Sequence, residues 1–304
     1  MKPTLRQLQY LVAVADTGRF GAAAKKMNVS QPSLSAQIAE AEAFLGAELL
    51  ERGRRGAFLT PAGREVVRRA RIILAEAEDL RTAAATGGTL AGRIRLGVLP
   101  SVGPYFLPRA VRGVHEAYPD LRLAISEGDT RTLEIGLREG QLDAVVSTPE
   151  DHAGENAPLF TERLWAAMAP DDPLAKKAGP VSLSALAGRN LLTLSRGYRF
   201  ATLIHTLAAE AGARISDEYE GSSLDAIRLM AATGAGIAIL PNLYASTEAR
   251  RGEDIAMRLI DDPRAQRSIS LIWRADSPLE RGFHAMSEAL REAAEAIIAS
   301  GDAP

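Results

Sequence analysis

Apolar side chains recur at helical spacing through the first part of the chain. The first stripe predicts a helix, and its apolar positions are Leu5, Leu8, Leu11, Val12 and Ala15. An Ala-rich helix is predicted next, over Gly21 to Met27, and Asn28 and Val29 then form a short turn. The pattern therefore predicts two consecutive helices joined by short connections.

The third predicted helix has clear start and stop signals. Ser30 is typical of an N-cap, Pro32 of a first helical turn, and Gly46 of a helix end after Leu45. One face of this helix is apolar, and it carries Leu34, Ile38, Ala41 and Leu45. We expect this face to pack on the preceding helix.

A small basic hairpin follows the third helix. The apolar pair Leu49 and Leu50 leads into three arginines, and the chain returns through Phe58 and Leu59. The arginines are Arg52, Arg54 and Arg55. A helix, a turn, a second helix and such a hairpin make a winged helix-turn-helix, for which a DNA duplex is the expected partner.

The third helix carries polar side chains that suit DNA. They are Gln31, Ser33, Ser35 and Gln37. A helix N-terminus favours phosphate, hydroxyls and amides reach base edges, and glutamine can bond adenine in a bidentate way. The alternative is an ordinary packing unit with a polar face.

Charge is distributed unevenly along the chain, and this favours DNA binding. Residues 1–74 carry 12 Lys and Arg against 6 Asp and Glu, a net charge of +6. The whole chain carries −2, so residues 75–304 carry −8. A basic head on an acidic body is expected when only the head touches nucleic acid.

A long helix is predicted after the hairpin, with Thr60 as N-cap and Pro61 as the first residue. Its apolar positions step by four and three residues as in a heptad seam, and they are Val66, Ala70, Ile73, Ala77, Leu80 and Ala84. A helix packed on its own domain would show a similar stripe. The charged outer face and the position between two domains favour a coiled coil between two chains.

From Gly92 the pattern changes to strands alternating with helices, which predicts a parallel α/β sheet. The predicted strands include Arg93–Val98, Leu121–Ser126, Leu142–Ser147, Leu164–Ala169, Leu191–Leu194, Asp217–Glu220, Ile237–Leu240 and Arg267–Arg274. The predicted helices are Pro104–Tyr118, Thr132–Glu139, Phe200–Gly212, Leu224–Thr233 and Leu279–Ile298.

Composition narrows the function classes further. Hydrophobic residues make up 46% of the 304 positions, enough for two or three cores, and no apolar run is long enough to span a membrane. We therefore predict no membrane partner and a cytoplasmic location. The four histidines lie far apart, and the chain lacks the common catalytic and metal-binding motifs. We accordingly predict no enzyme activity, no catalytic residues, no metal and no cofactor.

The run AAAKKMNVSQPSLSAQIAEAEAFLGAELLER, followed by LTPAG, resembles the LysR-type transcriptional regulators. Later segments resemble the OxyR-like branch of peroxide-inducible activators, namely LGVLPSVGPYFLP, LRLAISEGDT, the block from Ser222 to Pro241 and ISLIWRADSPL. The resemblance implies that Gln31, Pro32, Ser33 and Ser35 contact base edges. It also implies that the wing arginines contact phosphate or the minor groove.

The resemblance implies three domains. A DNA-binding head spans residues 1–59, a dimerisation helix residues 60–89 and an effector-binding domain residues 90–304. The effector domain would have two Rossmann-like lobes, as in periplasmic binding proteins, formed by residues 90–162 with 268–304 and by residues 163–267. The crossovers between lobes would lie near residues 161–163 and 266–268, with a ligand cleft between the lobes.

The chain has no cysteine, and this separates it from the branch that it resembles. The peroxide switch of that branch oxidises a thiolate, which a second cysteine then traps as a disulfide. The resemblance places Arg199 at the position of the reactive cysteine and Ala208 at that of the resolving one. It also places Tyr198 where a histidine is expected and Ser101 where a threonine is expected. A disulfide switch is therefore excluded.

Hydroxyl groups follow several predicted strands and could line the predicted cleft. The candidate effector-binding residues are Ser101, Val102, Thr130, Ser147, Thr148, Tyr198, Arg199, Ser222 and Ser223. Hydroxyls before helices are often N-caps, and Arg199 could instead be a surface residue or part of a salt bridge. Our hypothesis is that Arg199, Ser101 and Thr130 hold a small carboxylate or similar oxyanion.

The expected function is regulation of transcription by an effector bound between the lobes. The expected partners are promoter DNA, RNA polymerase, a small anionic effector and further copies of the chain, in a homodimer that pairs into a homotetramer. Two alternatives remain open. One is an oxidative-stress regulator that acts without thiol chemistry, and the other is a constitutive DNA-binding regulator.

Overall fold

The computed structural model describes residues 3–53, 56–86, 92–149, 154–247 and 254–301. These residues form two compact units. The first unit, the head, reaches residue 92 and includes residues 138–141, and the second unit holds the remainder. The division of the chain at residues 59 and 89 therefore stays a prediction.

The head contains helices around a two-stranded wing. Its described elements are α1 (Leu5–Thr17), α2 (Phe20–Lys26), α3 (Gln31–Leu45), β1 (Leu50–Gly53), β2 (Gly56–Leu59) and α4 (Pro61–Thr86). The wing strands pair in antiparallel register, with Leu50 opposite Leu59. The winged helix-turn-helix predicted from the sequence is confirmed.

The ends of α3 lie where the sequence predicts them. Ser30 accepts a hydrogen bond from the backbone N–H of Ser33, and Gly46 ends the helix in the left-handed region at φ 66°. Leu34, Ile38 and Ala41 are buried as expected. Leu45 is 39% exposed, so its assignment to the packing face was wrong, because that face turns away from the core before the last turn.

Two contacts fix the wing to the helices. The Glu42 carboxylate accepts hydrogen bonds from the backbone N–H groups of Leu49 and Leu50, at 2.7 and 3.1 Å. A Cβ atom added to Gly63 would lie 2.0 Å from the Leu49 carbonyl oxygen, so only glycine allows this close approach in the first turn of α4. The entry of the wing is therefore defined by a carboxylate side chain of α3 and by the absence of a side chain at Gly63 of α4.

The first part of the long helix α4 packs within the head. Thr60 caps it through a 2.9 Å hydrogen bond to the N–H of Gly63, as predicted. Val67 and Ala70 are buried, and α4 packs against α1, whereas Ile73 is 46% exposed. Of the predicted seam positions, Ala70 is thus buried and Val66 partly buried in the core of the head itself. The side chains of Leu80 and Ala84 lie outside the described residues.

The second unit is a mixed α/β structure. Its strands are β3 (Gly92–Val98), β4 (Leu121–Glu127), β5 (Ala144–Ser147), β6 (Glu155–Met168), β7 (Val181–Ser182), β8 (Asn190–Leu192), β9 (Arg214–Ile215), β10 (Ile237–Pro241), β11 (Ala256–Asp261) and β12 (Gln266–Trp273). Its helices are α5 (Gly103–Ala117), α6 (Thr130–Arg138), α7 (Arg199–Ala211), α8 (Leu224–Ala232), α9 (Asn242–Thr247) and α10 (Glu280–Gly301), with a 3-10 turn at Leu183–Leu186.

The strands join in one sheet of order β4-β3-β5-β12-β6-β10-β8-β9, and β11 pairs with β6 and β7. Parallel pairs such as β3 with β5 and β8 with β10 confirm the βαβ expectation. The long strands β6 and β12 instead run antiparallel to each other, with Arg267 opposite Glu162. The sheet is therefore mixed, which a purely parallel prediction missed.

Several local predictions were wrong. Residues 217–220 form a bend and irregular chain and not a strand, and the short strand β9 precedes them. The strands β7 and β11, the helix α9 and the first half of β6 were not predicted. Helix α6 begins at Thr130, and Asp129 caps it by accepting from the N–H of Thr132 at 2.6 Å. No helix of the described part is long and apolar enough to cross a membrane.

Candidate DNA-binding helix and ligand-binding cavity

The recognition helix α3 presents the polar side chains singled out from the sequence. Gln31, Pro32 and Ser33 are exposed on its first turn, and Ser35 and Gln37 are half-buried. These five residues lie along one short stretch of helix, whose N-terminus carries the partial positive charge that attracts phosphate. Their contact with DNA stays a prediction.

Of the three wing arginines, the structure describes only the backbone of Arg52. The backbone of Arg52 pairs with Ala57 in the hairpin. Arg54 and Arg55 lie outside the described residues, so their predicted phosphate contacts have no structural description.

A cavity of about 340 Å³ lies beside helix α7 in the second unit. Its walls are formed by Thr148, Arg199, Phe200, Thr202, Leu203, Thr206, Gln266 and Arg267. Thr202, Leu203 and Thr206 follow Arg199 by three, four and seven residues. One face of α7 therefore forms a wall of the cavity, with Phe200 beside it. Of the predicted effector-binding residues, the structure brings Thr148 and Arg199 together here.

Buried hydroxyl groups without protein partners lie at the carboxyl ends of strands. Ser147 is the last residue of β5, Thr148 follows it, Thr193 follows β8, and each is at most 5% exposed. Within the described part of the chain none of the three hydroxyl oxygens has a hydrogen-bond partner. Because a buried polar group without a partner is costly, the Thr148 hydroxyl marks a place in the cavity wall where a ligand or water can bond.

The N-terminus of α7 opens at this cavity. Tyr198 is its N-cap residue, but its side chain makes no capping hydrogen bond. The N–H of Arg199 instead donates to the buried Thr130 hydroxyl at 3.5 Å. Thr130 thus fixes the start of α7 from a distant element. The exposed Arg199 guanidinium adds positive charge to a helix end that already favours anions.

Arg267 forms a buried ion pair at the junction of β6 and β12. Its guanidinium contacts one Glu162 carboxylate oxygen at 2.7 Å, and the two side chains are 4% and 0% exposed. The other Glu162 oxygen accepts from the N–H of Leu243 at the start of α9, at 2.8 Å. The guanidinium also lies over the Phe200 ring, 4.7 Å from its centre.

Ser101 belongs to this network. Its hydroxyl accepts a 2.9 Å hydrogen bond from Arg267. Ser101 was predicted to bind the effector directly, but its hydroxyl has Arg267 as a protein partner. The neighbouring Val102 is fully buried at the start of α5. Neither residue lines the cavity beside α7, and their contact with an effector stays a prediction.

The two serines before α8 have different surroundings. Ser223 is the N-cap of α8 and accepts from the N–H of Ala226 at 3.2 Å, as the capping alternative predicted. Ser222 is exposed beside it. Neither residue lines the cavity beside α7.

The positions that correspond to the two cysteines of the OxyR-like branch lie in one helix. Arg199 is the first residue of α7, and Ala208 is buried nine residues later. At about 1.5 Å of rise per residue they are roughly 13 Å apart along the axis. Between them, burial and nearby Arg196 lower the pKa of His205 below its usual 6.5.

Sequence reasoning missed much of this site. Phe200, Thr202 and Thr206 could have been found from their helical spacing with Arg199. Glu162 and Arg267 could have been noticed as charges within otherwise apolar strands, but their pairing depends on a register that the sequence does not give. Within the described ranges no group of three or more His, Asp and Glu side chains could hold a metal ion.

Two family models match the chain. The model of the bacterial regulatory helix-turn-helix protein of the lysR family matches residues 5–64. The model of the LysR substrate binding domain matches residues 87–295. The first match covers helices α1 to α3, the wing and the first turn of α4, and the second covers every residue that lines the cavity.

Individual relatives agree with the family models. The chain is 36% identical to the DNA-binding transcriptional dual regulator OxyR of Escherichia coli K12 over 290 residues, which cover 94% of each chain. Full-length OxyR from Pseudomonas aeruginosa, as a cysteine-to-aspartate variant, aligns with a TM-score of 0.78 at 31% identity and covers 95% of this chain and 98% of that one. Full-length CbnR in complex with its target DNA aligns with a TM-score of 0.66 at 29% identity, covering 95% and 99%.

Proposed function

Because the chain belongs to the LysR family of DNA-binding transcriptional regulators and is OxyR-like, we propose that it controls promoters in response to a small anionic effector bound beside α7. The chain has no cysteine, so the signal is not a disulfide. The effector is the proposed chemical replacement for the thiol switch.

The cavity at the N-terminus of α7 carries this proposal. It combines a fixed positive charge at Arg199 with the unpartnered, buried hydroxyl of Thr148. Phe200 and Leu203 add apolar surface on the same helix. This combination suits a carboxylate or similar oxyanion with a short apolar body, because the anion is bonded at one end and the body is desolvated at the other.

Arg267 has a positioning role in this proposal. Its charge is already balanced by Glu162, so it adds little net attraction for an anion. It does connect the loop at Ser101, the strands β6 and β12, the α7 ring of Phe200 and, through Glu162, the start of α9. A ligand that moves Phe200 or Arg199 would therefore disturb contacts on several elements at once.

The head supplies the output. We propose that α3 enters the major groove through Gln31, Pro32, Ser33, Ser35 and Gln37, and that Arg52, Arg54 and Arg55 of the wing contact the backbone. Two chains would pair through α4, where Ile73 is exposed, and two pairs would form a tetramer on paired half-sites. The effector would shift the equilibrium between two arrangements of the lobes, and RNA polymerase would then be recruited or blocked in the cytoplasm.

Ligand binding can be tested with the full chain in a thermal-shift screen. The panel contains small carboxylates, sulfur and phosphorus oxyanions, aromatic acids and peroxide. A ligand present at ~100 times its Kd stabilises the folded protein by ~2.7 kcal/mol, which moves the melting temperature measurably. We expect a shift from one class of anion.

The matched variants are Arg199→Ala and Arg196→Ala, which each remove one arginine near the start of α7. The first should weaken binding of the anion by ~1.5–3 kcal/mol, the range of a charged hydrogen bond, and the second should weaken it less. Equal affinity of wild type and Arg199→Ala would refute the assignment. If no anion binds, the constitutive alternative is favoured, and a shift confined to peroxide favours stress sensing without thiols.

A further inference from the structure

A hydrogen-bond relay reaches the recognition helix from the buried side of the head. The Nε2 group of Gln37 donates to Oε2 of Glu40, one turn further along α3, at 3.2 Å. Gln7 of α1 donates its own Nε2 to the same oxygen at 3.1 Å. Gln7 is 5% exposed, and its Oε1 accepts from the N–H of Thr4 at 2.8 Å. The Glu40 carboxylate is therefore held by a side chain that cannot rotate freely.

The chemistry of Glu40 decides which way the Gln37 carboxamide points. An ionised carboxylate accepts hydrogen bonds and donates none. The amide nitrogen of Gln37 must consequently face Glu40, and the amide oxygen must face away. No residue in the described part of the chain bonds that oxygen or the second N–H of Gln37. The side chain thus offers one acceptor and one donor.

One acceptor beside one donor is the pattern that complements adenine. In the major groove adenine presents the N6 amino group as donor and N7 as acceptor, so a glutamine can bond both. Guanine presents two acceptors, O6 and N7, and the amide oxygen would face O6 unfavourably. A Gln37 carboxamide held in this orientation therefore prefers adenine. A carboxamide that rotates freely can also turn its NH₂ group towards the two acceptors of guanine.

We propose that Glu40 is a specificity-determining positioning residue, which orients the Gln37 carboxamide so that it reads adenine. The inference rests on the proposed role of α3 in the major groove. Glu40 places a negative charge on a helix that approaches phosphates, which weakens binding to every sequence. The loss of DNA affinity caused by the Glu40 charge is explained if this carboxylate sets the preference of Gln37 for one base. The competing explanation is an i, i+3 pair that only supports the helix.

The test is to select binding sites from randomised DNA with the full chain and to measure affinities at constant salt for sites that differ at one base pair. The wild type should prefer adenine over guanine at one position by ~10-fold or more, within the range for a bidentate base contact. Gln37→Ala should abolish that preference and leave other positions unchanged. Glu40→Ala should reduce it towards the Gln37→Ala value.

Two further variants separate charge from orientation. In Glu40→Gln the new amide oxygen can accept the same two N–H groups, so the adenine preference should persist while affinity for all sequences rises. In Glu40→Lys the new side chain only donates, so the Gln37 oxygen should turn towards it and the amide nitrogen towards the base. The preference should then move from adenine to guanine. Glu48→Ala, which removes an exposed carboxylate elsewhere in the head, is the charge control and should leave every preference unchanged.

The outcomes separate this inference from the function on which it rests. Full adenine preference in both Glu40→Ala and Glu40→Lys would overturn the positioning role, and unchanged preference in Gln37→Ala would remove Gln37 from base reading. A folded wild type that binds all sequences equally would overturn the proposed regulator function as well. Melting temperatures of each variant confirm that a lost preference does not reflect an unfolded head.

Discussion

The recognition helix presents its candidate DNA contacts within residues 31–37, whereas the cavity beside α7 draws its lining from Thr148, from residues 199–206 and from residues 266–267. The first site lies within the first two turns of one helix and is exposed or half-buried. The second depends on contacts between distant parts of the sequence and on a buried ion pair. Substitutions in α3 should therefore change recognition with little loss of stability, and those behind the cavity should affect both.

The two positions that the resemblance assigns to the cysteines, Arg199 and Ala208, differ in their surroundings. Arg199 is exposed at the first position of α7, where side-chain identity has little influence on packing. Ala208 is buried in the same helix, where a small side chain fits the core. Both residues therefore suit their places in α7, and neither can form a disulfide.

The largest expected effect concerns the buried ion pair. Glu162→Ala leaves the Arg267 guanidinium buried without its partner, and breaking a buried pair in this way costs about 3–5 kcal/mol of unfolding free energy. Thermal unfolding of the full chain should show a clear drop. Combined replacement by Glu162→Leu and Arg267→Met should recover most of the loss, because neither charge is then stranded.

The surface of the head provides the matched control for that experiment. Hydrogen bonds from Arg68 and Arg69 lower the pKa of Glu65 to about 2, yet this carboxylate is exposed. Exposed pairs are screened by water and salt, so Glu65→Ala should leave the melting temperature nearly unchanged. A loss as large as that of Glu162→Ala would contradict the distinction between the two regions.

Two helix caps offer a smaller and more symmetrical test. Ser30 caps α3 and Ser223 caps α8 with equivalent hydrogen bonds. Replacement of either serine by alanine should cost ~1 kcal/mol of stability. DNA affinity should fall only in Ser30→Ala, because that cap sets the start of the recognition helix. If Ser223→Ala instead weakens effector binding, Ser223 contacts the effector as the sequence predicted.

The smallest expected effect is the pH dependence of His205. Burial and Arg196 lower its folded-state pKa below the usual 6.5, so the folded protein disfavours the protonated ring. The stability associated with this neutral histidine is complete above pH 6.5 and is lost as pH falls through the lowered folded-state pKa. His205→Gln should flatten the fall in melting temperature over this acidic range. An unchanged pH profile would show that His205 has no such role.

The head could be predicted closely because its signals are local. Ser30, Pro32 and Gly46 mark the ends of α3. The capping hydrogen bonds of Ser30 and Gly46 reach only three or four residues along the chain. The apolar spacing gave the right packing face up to Ala41 and failed at Leu45, where helical periodicity continues past the end of the core. Local hydrogen bonds and one hydrophobic face were sufficient here.

The cavity could be predicted only in part because its contacts are long-range. Thr148 and Arg199 were found from their positions at element ends, and Asp129 rather than Thr130 proved to be the cap of α6. The pairing of Glu162 with Arg267 depends on the register between β6 and β12, more than a hundred residues apart in sequence. Propensity and periodicity contain no information on that register.

Control by an anion and not by a thiol is tested most directly by the affinity of the full chain for its selected DNA site, measured with and without stoichiometric peroxide and with the anion found by thermal shift. We predict that peroxide leaves affinity and DNA bending unchanged, and that the anion changes at least one of them in wild type but not in Arg199→Ala. A response to peroxide together with indifference to every anion would contradict it.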